Sequence, residues 1–280
     1  MYGKFLHVDL GSGSFRDHVV PEEIARKYIG GKGLGVYLLD SMMAPGTGAL
    51  DPGNVLIFLT GPFTGTAFPT SGRFVVVTRS PLTGMYVDSH AGGHFAKELR
   101  MAGYDGIIVT GKADRPAYLW LEDGKAELRD ASDLWGKTVD DTVFAVREKT
   151  DGNARVAVIG PAGENLVPIA TITMDSDSDK SRAGVAGRGG TGAVMGSKNL
   201  KAIAVRGTGS IPIAEEGPFR EQVAEIVKAI NANDQIHTRR IVGTSSLVES
   251  MSRTGILPSY NFQQGYFVPI YGLVSTNLRH

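Results

Sequence analysis

Short apolar runs separated by glycine and proline fill the first two hundred positions. Lys4 to Asp9 and Phe15 to Val20 predict a hairpin around Gly11-Ser12-Gly13. Pro21-Glu22-Glu23 opens a helix, with proline near the first turn and acids at the positive end of the dipole. Gly33 to Met43 and Val139 to Lys149 read as further helices. Val55 to Leu59 and Phe74 to Thr78 are β-branched or aromatic runs bounded by turn residues, and so predict strands. Gly106 to Val109, Ala117 to Leu121, Val156 to Ile159 and Ala202 to Val205 add four more strands. Phe95 to Met101 and Gly192 to Met195 are short helical candidates.

The texture changes after Gly209. Phe219, Val223, Ile226, Val227 and Ile230 recur at helical spacing, and Leu247 to Ser252 starts another helical segment. The predicted organisation is a domain over 1–208 and the beginning of a helical domain over 209–280. Asn261 to His280 has no clear periodicity and no stop signal, so the expectation is a domain cut short.

The glycines recur in order. Gly61 and Gly160, each followed by proline, are 99 positions apart; Gly93 and Gly190 are 97 apart; Gly111 and Gly207 are 96 apart. Three ordered landmarks at nearly one offset predict an internal duplication. The expected fold class is α+β: a duplicated, pseudo-twofold β-sheet platform with short helices, followed by the start of a helical domain.

Charge and composition narrow the functional classes. Lys+Arg and Asp+Glu are both 29, so the excess basic charge of a nucleic-acid or membrane-surface binder is missing. No apolar run is long enough to span a bilayer, and the N-terminus lacks the apolar region of a signal peptide; a cytoplasmic location is expected. Cysteine is 0, so these residues hold no disulfide, no thiolate metal site and no cysteine nucleophile. Glycine is 37 of 280, near twice the usual share of about 7%.

Each Gly-Gly pair, Gly92-Gly93 and Gly189-Gly190, precedes a short helical candidate. Glycine lets backbone N–H groups approach a ligand, which suits phosphate. Arg73 and Arg79 precede the first pair, and Arg182, Arg188 and Lys198 surround the second. The same pattern also fits tight turns that pack helix against sheet, and both readings stand. Other motifs fall short. Gly30-Gly31-Lys32-Gly33-Leu34-Gly35 lacks the Ser or Thr of a P-loop and the spacing of a dinucleotide loop. Asp175 to Asp179 begins like a calcium loop, but Lys180 and Ala186 occupy its glycine and glutamate positions. His90 and His94 have no evident third ligand.

Four stretches carry a resemblance. They are Gly72-Arg73 through Ser80-Pro81-Leu82-Thr83-Gly84, Ala102-Gly103-Tyr104-Asp105-Gly106, Gly160-Pro161-Ala162-Gly163-Glu164-Asn165, and Ala186-Gly187-Arg188-Gly189-Gly190 with Gly192 to Ile203. Together they resemble the aldehyde ferredoxin oxidoreductases, tungsten- or molybdenum-pterin enzymes, from the first residues to about Gly272.

The resemblance implies an N-terminal platform of two related halves carrying a bis-pterin whose dithiolene sulfurs hold the metal. It implies oxidation of an aldehyde with water to a carboxylic acid. Electrons would pass through a [4Fe-4S] cluster, whose cysteines are absent from this chain, to ferredoxin. It also implies cofactor contacts at Arg73; at His90, Ala91, Gly92 and Gly93; and at Val185, Ala186, Gly187 and Arg188. Backbone carbonyls of His90 and Val185 would hold a magnesium ion bridging the phosphates. Gly184 stands where arginine is expected, and Arg182 is the substitute charge. No catalytic residue is assigned. A homodimer is one assembly that the resemblance allows. The alternative function is a non-catalytic pterin-binding module, or a fragment completed in trans by a cysteine-bearing partner.

Overall fold

The computed structural model describes residues 2–175 and 184–270. Two compact units divide between Ala214 and Glu215. The first half of the larger unit holds β1 (Lys4–Asp9), β2 (Ser14–Val19), α1 (Glu22–Tyr28), α2 (Gly31–Met42), β3 (Leu56–Leu59), β4 (Phe74–Arg79), β5 (Tyr86–Ala91), α3 (Phe95–Met101) and β6 (Gly106–Thr110). The second half holds β7 (Ala117–Glu122), β8 (Lys125–Asp130), α4 (Val139–Lys149), β9 (Arg155–Val158), α5 (Pro161–Glu164), β10 (Ile172–Met174), β11 (Val185–Ala186), α6 (Thr191–Ser197) and β12 (Leu200–Arg206).

The two halves have the same topology. One six-stranded sheet runs β2-β1-β6-β3-β4-β5, and the other, read from its opposite edge, runs β8-β7-β12-β9-β10-β11. In each, the first and last strands of the half are parallel and the other neighbours antiparallel. The registers repeat residue by residue. Phe58 faces Ile107 and Val76, as Ala157 faces Ile203 and Met174. Val75 faces His90, as Thr173 faces Val185.

One landmark shifts. Because His90 corresponds to Val185, Gly92 corresponds to Gly187, not to Gly189 as the glycine spacing suggests. Three residues connect Ala91 to α3, whereas four connect Ala186 to α6.

Strand alternation sorts the side chains into three clusters. Leu56, Phe58, Val76 and Ile107 from the first sheet meet Ala157, Ile172, Met174 and Ile203 from the second, with Phe95 of α3 and Met195 of α6 among them. The outer face of the first sheet (Ile57, Leu59, Val75, Val77) is covered by Leu34, Leu38 and Leu39 of α2. The outer face of the second (Tyr118, Trp120, Val156, Ala204) is covered by Val146 and Leu134. The run from Gly30 to Gly35 serves this packing: a Cβ on Gly35 would lie 2.7 Å from Val77 Cγ2, so glycine lets α2 approach the sheet.

The smaller unit contains α7 (Glu216–Asn231), α8 (Asp234–Val242), a 3-10 turn (Thr244–Leu247) and α9 (Val248–Arg253). Phe219, Val223, Ile226 and Ile230 form a half-buried stripe along α7, as their spacing predicts, whereas Val227 is exposed.

Candidate functional site

β5 and β11 are the edge strands of their sheets, and an edge leaves backbone groups and side chains open to new contacts. Here the two edges come together. The backbone N–H of Arg188 donates to Ser89 Oγ at 3.0 Å, and Ser80 Oγ donates to the Gly189 carbonyl at 2.7 Å. Gly184 sits against the backbone of Gly92, and Gly189 against Val87, so closely that a Cβ on either would overlap its neighbour.

Between the edges lies a groove of about 530 Å³ lined by Arg73, Asp88, Ser89, His90, Val185, Gly187 and Arg188. Stretches about a hundred positions apart in sequence therefore share one surface. Arg73, at the entrance to β4, and Arg188, just after β11, are both exposed. Among the described residues neither guanidinium has a carboxylate partner. Asp88 accepts from His90 Nε2 at 3.1 Å. Two guanidinium groups without an ion-pair partner among the described residues, in one concave surface, suit an anionic ligand that accepts several hydrogen bonds.

The other predicted residues sit around this groove. Ala91 and Ala186 are buried, so only their backbone is offered. Gly92 and Gly93 form the adjoining turn, with Gly93 at φ +94°. Arg182 lies outside the described residues, as do positions 176–180 of the acidic stretch. Asp88 and Ser89 are additional lining residues; a polar strand at a sheet edge has no apolar alternation to announce it.

The two Gly-Gly turns differ in what they require. Among the described residues, a Cβ on Gly93 would have only Met174 Cβ near it, at 4.0 Å. A Cβ on Gly190 would overlap the Pro168 carbonyl, and its φ is +73°. The second turn is therefore a packing turn.

Three other charged residues have structural partners. Lys198 is fully buried and donates to the Pro52 and Gly111 carbonyls, each at 3.0 Å; burial pushes its ammonium down to about 8. It does not join the groove, contrary to its placement near the second turn in sequence. Arg79 donates to the Gly84 and Thr47 carbonyls and holds the β4–β5 turn. Asp175 pairs with Arg147 and Arg155 and accepts from Val156 N at 2.7 Å, while burial raises its carboxyl above the ordinary range. Among the described residues no three acids or histidines are grouped to hold a metal ion, and no helix is long and apolar enough to cross a membrane.

Comparison with known proteins gives this architecture a relationship. The family model described as aldehyde ferredoxin oxidoreductase, N-terminal domain, matches residues 5–207. The chain is 45% identical over 273 residues to a tungsten-containing aldehyde ferredoxin oxidoreductase of Pyrococcus furiosus, covering 96% of this chain and 44% of that one. It is 44% identical over 273 residues to the enzyme of the same description from Thermococcus kodakarensis, with the same coverage. Among solved structures, it resembles the active-site complex BamBC of benzoyl coenzyme A reductase bound to 1,5-dienoyl-CoA. The TM-score is 0.79 at 36% identity, over 83% of this chain and 35% of that one. The chain thus spans less than half the length of these relatives. With the family's N-terminal domain matched over both duplicated halves, the chain belongs to the aldehyde ferredoxin oxidoreductase family.

Proposed function

We propose that this chain is the cofactor-binding portion of a tungsten-containing aldehyde ferredoxin oxidoreductase, and that the groove between β5 and β11 receives the phosphates of a bis-pterin. The observation that carries this reading is the convergence of Arg73, His90, Val185, Gly187 and Arg188 on one surface. The residues fit the group: two guanidinium groups lack carboxylate partners among the described residues, and the Gly92-Gly93 turn brings backbone close to the same edge. Arg73 and Arg188 would pair with phosphate oxygens. The carbonyls of His90 and Val185, at equivalent register positions, would face a bridging magnesium ion. The bound metal would supply two-electron redox chemistry toward an aldehyde and water, with ferredoxin as the acceptor. No cysteine is among these 280 residues, so the ligands of a thiolate-held [4Fe-4S] cluster would come from other residues, in the same chain or a partner.

The test is elemental and pterin analysis of the chain purified from cells supplied with tungstate and molybdate. Stoichiometric metal with pterin is expected, with most of it lost in Arg73→Ala and Arg188→Ala. Stoichiometric purine nucleotide in its place, or full metal retention in both variants, would overturn the reading.

A further inference from the structure

Among the described residues, one acid lines the groove. Asp88 lies two positions before His90 on β5, so both side chains project from the same face of the strand. Asp88 Oδ2 accepts from His90 Nε2 at 3.1 Å, which holds the carboxylate; Oδ1 has no hydrogen bond among the described residues. Among the described residues, the β11 side contributes Val185, Gly187 and Arg188 to the lining and no acid. The described lining is therefore unequal at its two edges, although the strands that form them are related by the duplication. A carboxylate beside bound phosphates repels them unless a cation lies between.

We propose that Asp88 is a positioning residue for a divalent cation in this groove, its carboxylate accepting hydrogen bonds from the cation's water shell and drawing the ion toward the β5 edge. The proposal rests on the reading of the groove as a phosphate site. Magnesium dehydrates reluctantly and keeps several waters, so an acid near the site acts through those waters without displacing them. Removing an outer-shell partner of this kind costs about 10- to 100-fold in metal affinity. The duplication offers no second copy of this group: the register counterpart of His90 is Val185, which has no polar side-chain atom to hold an acid.

The experiment is calorimetric titration of the cofactor-free 280-residue chain with inorganic pyrophosphate, with and without magnesium. Magnesium pyrophosphate also forms in solution, so wild type and variants are compared under identical conditions. In Asp88→Asn, affinity with magnesium should fall about tenfold or more. Without magnesium it should stay level or rise, because a repelling charge is gone. Asp88→Glu should recover part of the magnesium effect. Matching thermal melts would exclude misfolding as the cause. If Asp88→Asn shifts affinity equally with and without magnesium, or not at all, the assignment of Asp88 fails while the phosphate reading stands. If wild type binds no pyrophosphate under either condition, the phosphate reading fails and this proposal fails with it.

Discussion

The two halves of the larger unit perform one mechanical task with opposite charges. Asp105 precedes β6, and its carbonyl accepts from Thr60 N; Lys201 lies in β12, and its carbonyl accepts from Ile159 N. These backbone positions correspond in the duplication. The Asp105 side chain accepts from Gly3 N, Lys4 N and Arg100 Nε, and Arg100 also donates to the Pro62 and Thr64 carbonyls. The Lys201 ammonium pairs with Glu164 of α5 and donates to the Lys137 carbonyl. Each network pins the loop that follows a Gly-Pro pair, Gly61-Pro62 or Gly160-Pro161. One half uses a buried acid, and the other a buried ammonium. A duplicated backbone thus conserves the position to be tied down more strictly than the sign of the charge that ties it.

The core divides its volume in the same complementary way. Phe58, Phe74 and Phe95 form an aromatic cluster, with the Phe74 and Phe95 ring centroids 5.4 Å apart. Phe58 corresponds to Ala157 and Phe74 to Ile172 in the other half. Large residues from one sheet fill the space left by small residues of the other, and the shared interior reaches native density without strict symmetry.

The comparison can be broken most severely at the glycine turns. Gly190→Val should abolish soluble expression, because the side chain would meet Pro168 backbone at a positive φ. Gly93→Ala should cost only about 1–2 kcal/mol from backbone strain, read by urea unfolding. Equal effects at the two sites would refute the difference between the turns. Next in size, Glu164→Gln should cost about 3–5 kcal/mol, since it leaves the fully buried Lys201 without its anion. The double variant Glu164→Leu with Lys201→Met should recover much of this. Phe58→Ala should lose about 3–5 kcal/mol in the same assay, whereas Ala157→Gly, its counterpart, should lose about 0.5–1 kcal/mol.

The last effect is a pH dependence. The Lys198 ammonium is lowered in the native state to about 8 from an ordinary 10.5. Between those values the unfolded chain binds more protons, so this group's contribution to stability rises with pH over that window. Subtracting the stability profile of Lys198→Met from that of wild type should leave this positive slope. A flat difference would mean that burial does not depress the group.

Legibility in the sequence followed local burial. The hairpin at Lys4, α4 and the strands around Phe58 and Ile107 are readable because one or both faces are apolar at the right period. β5 is an edge strand with no apolar alternation, and β8, also at an edge, alternates only through Ala126 and Leu128, too short a pattern to mark a strand. β10 and β11 are three and two residues long, too short for any period to show. The candidate site divides similarly. Arg73, His90 and Arg188 stand out through their motifs, whereas Asp88 and Ser89 become site residues only because β5 meets the second half.

By itself the sequence determined the types of the main elements, the duplication that relates them and the absence of any thiolate ligand within these 280 residues. These follow from local periodicity, repeated spacing and residue identity, none of which needs distant contacts. Only the tertiary structure decided that His90 and Val185 are counterparts, that Gly190 serves packing, that Lys198 is buried away from the groove, and that Asp88 enters it. Register and edge-to-edge meeting depend on which strands become neighbours across some hundred residues of chain, and that is settled by burying both sheet faces at once.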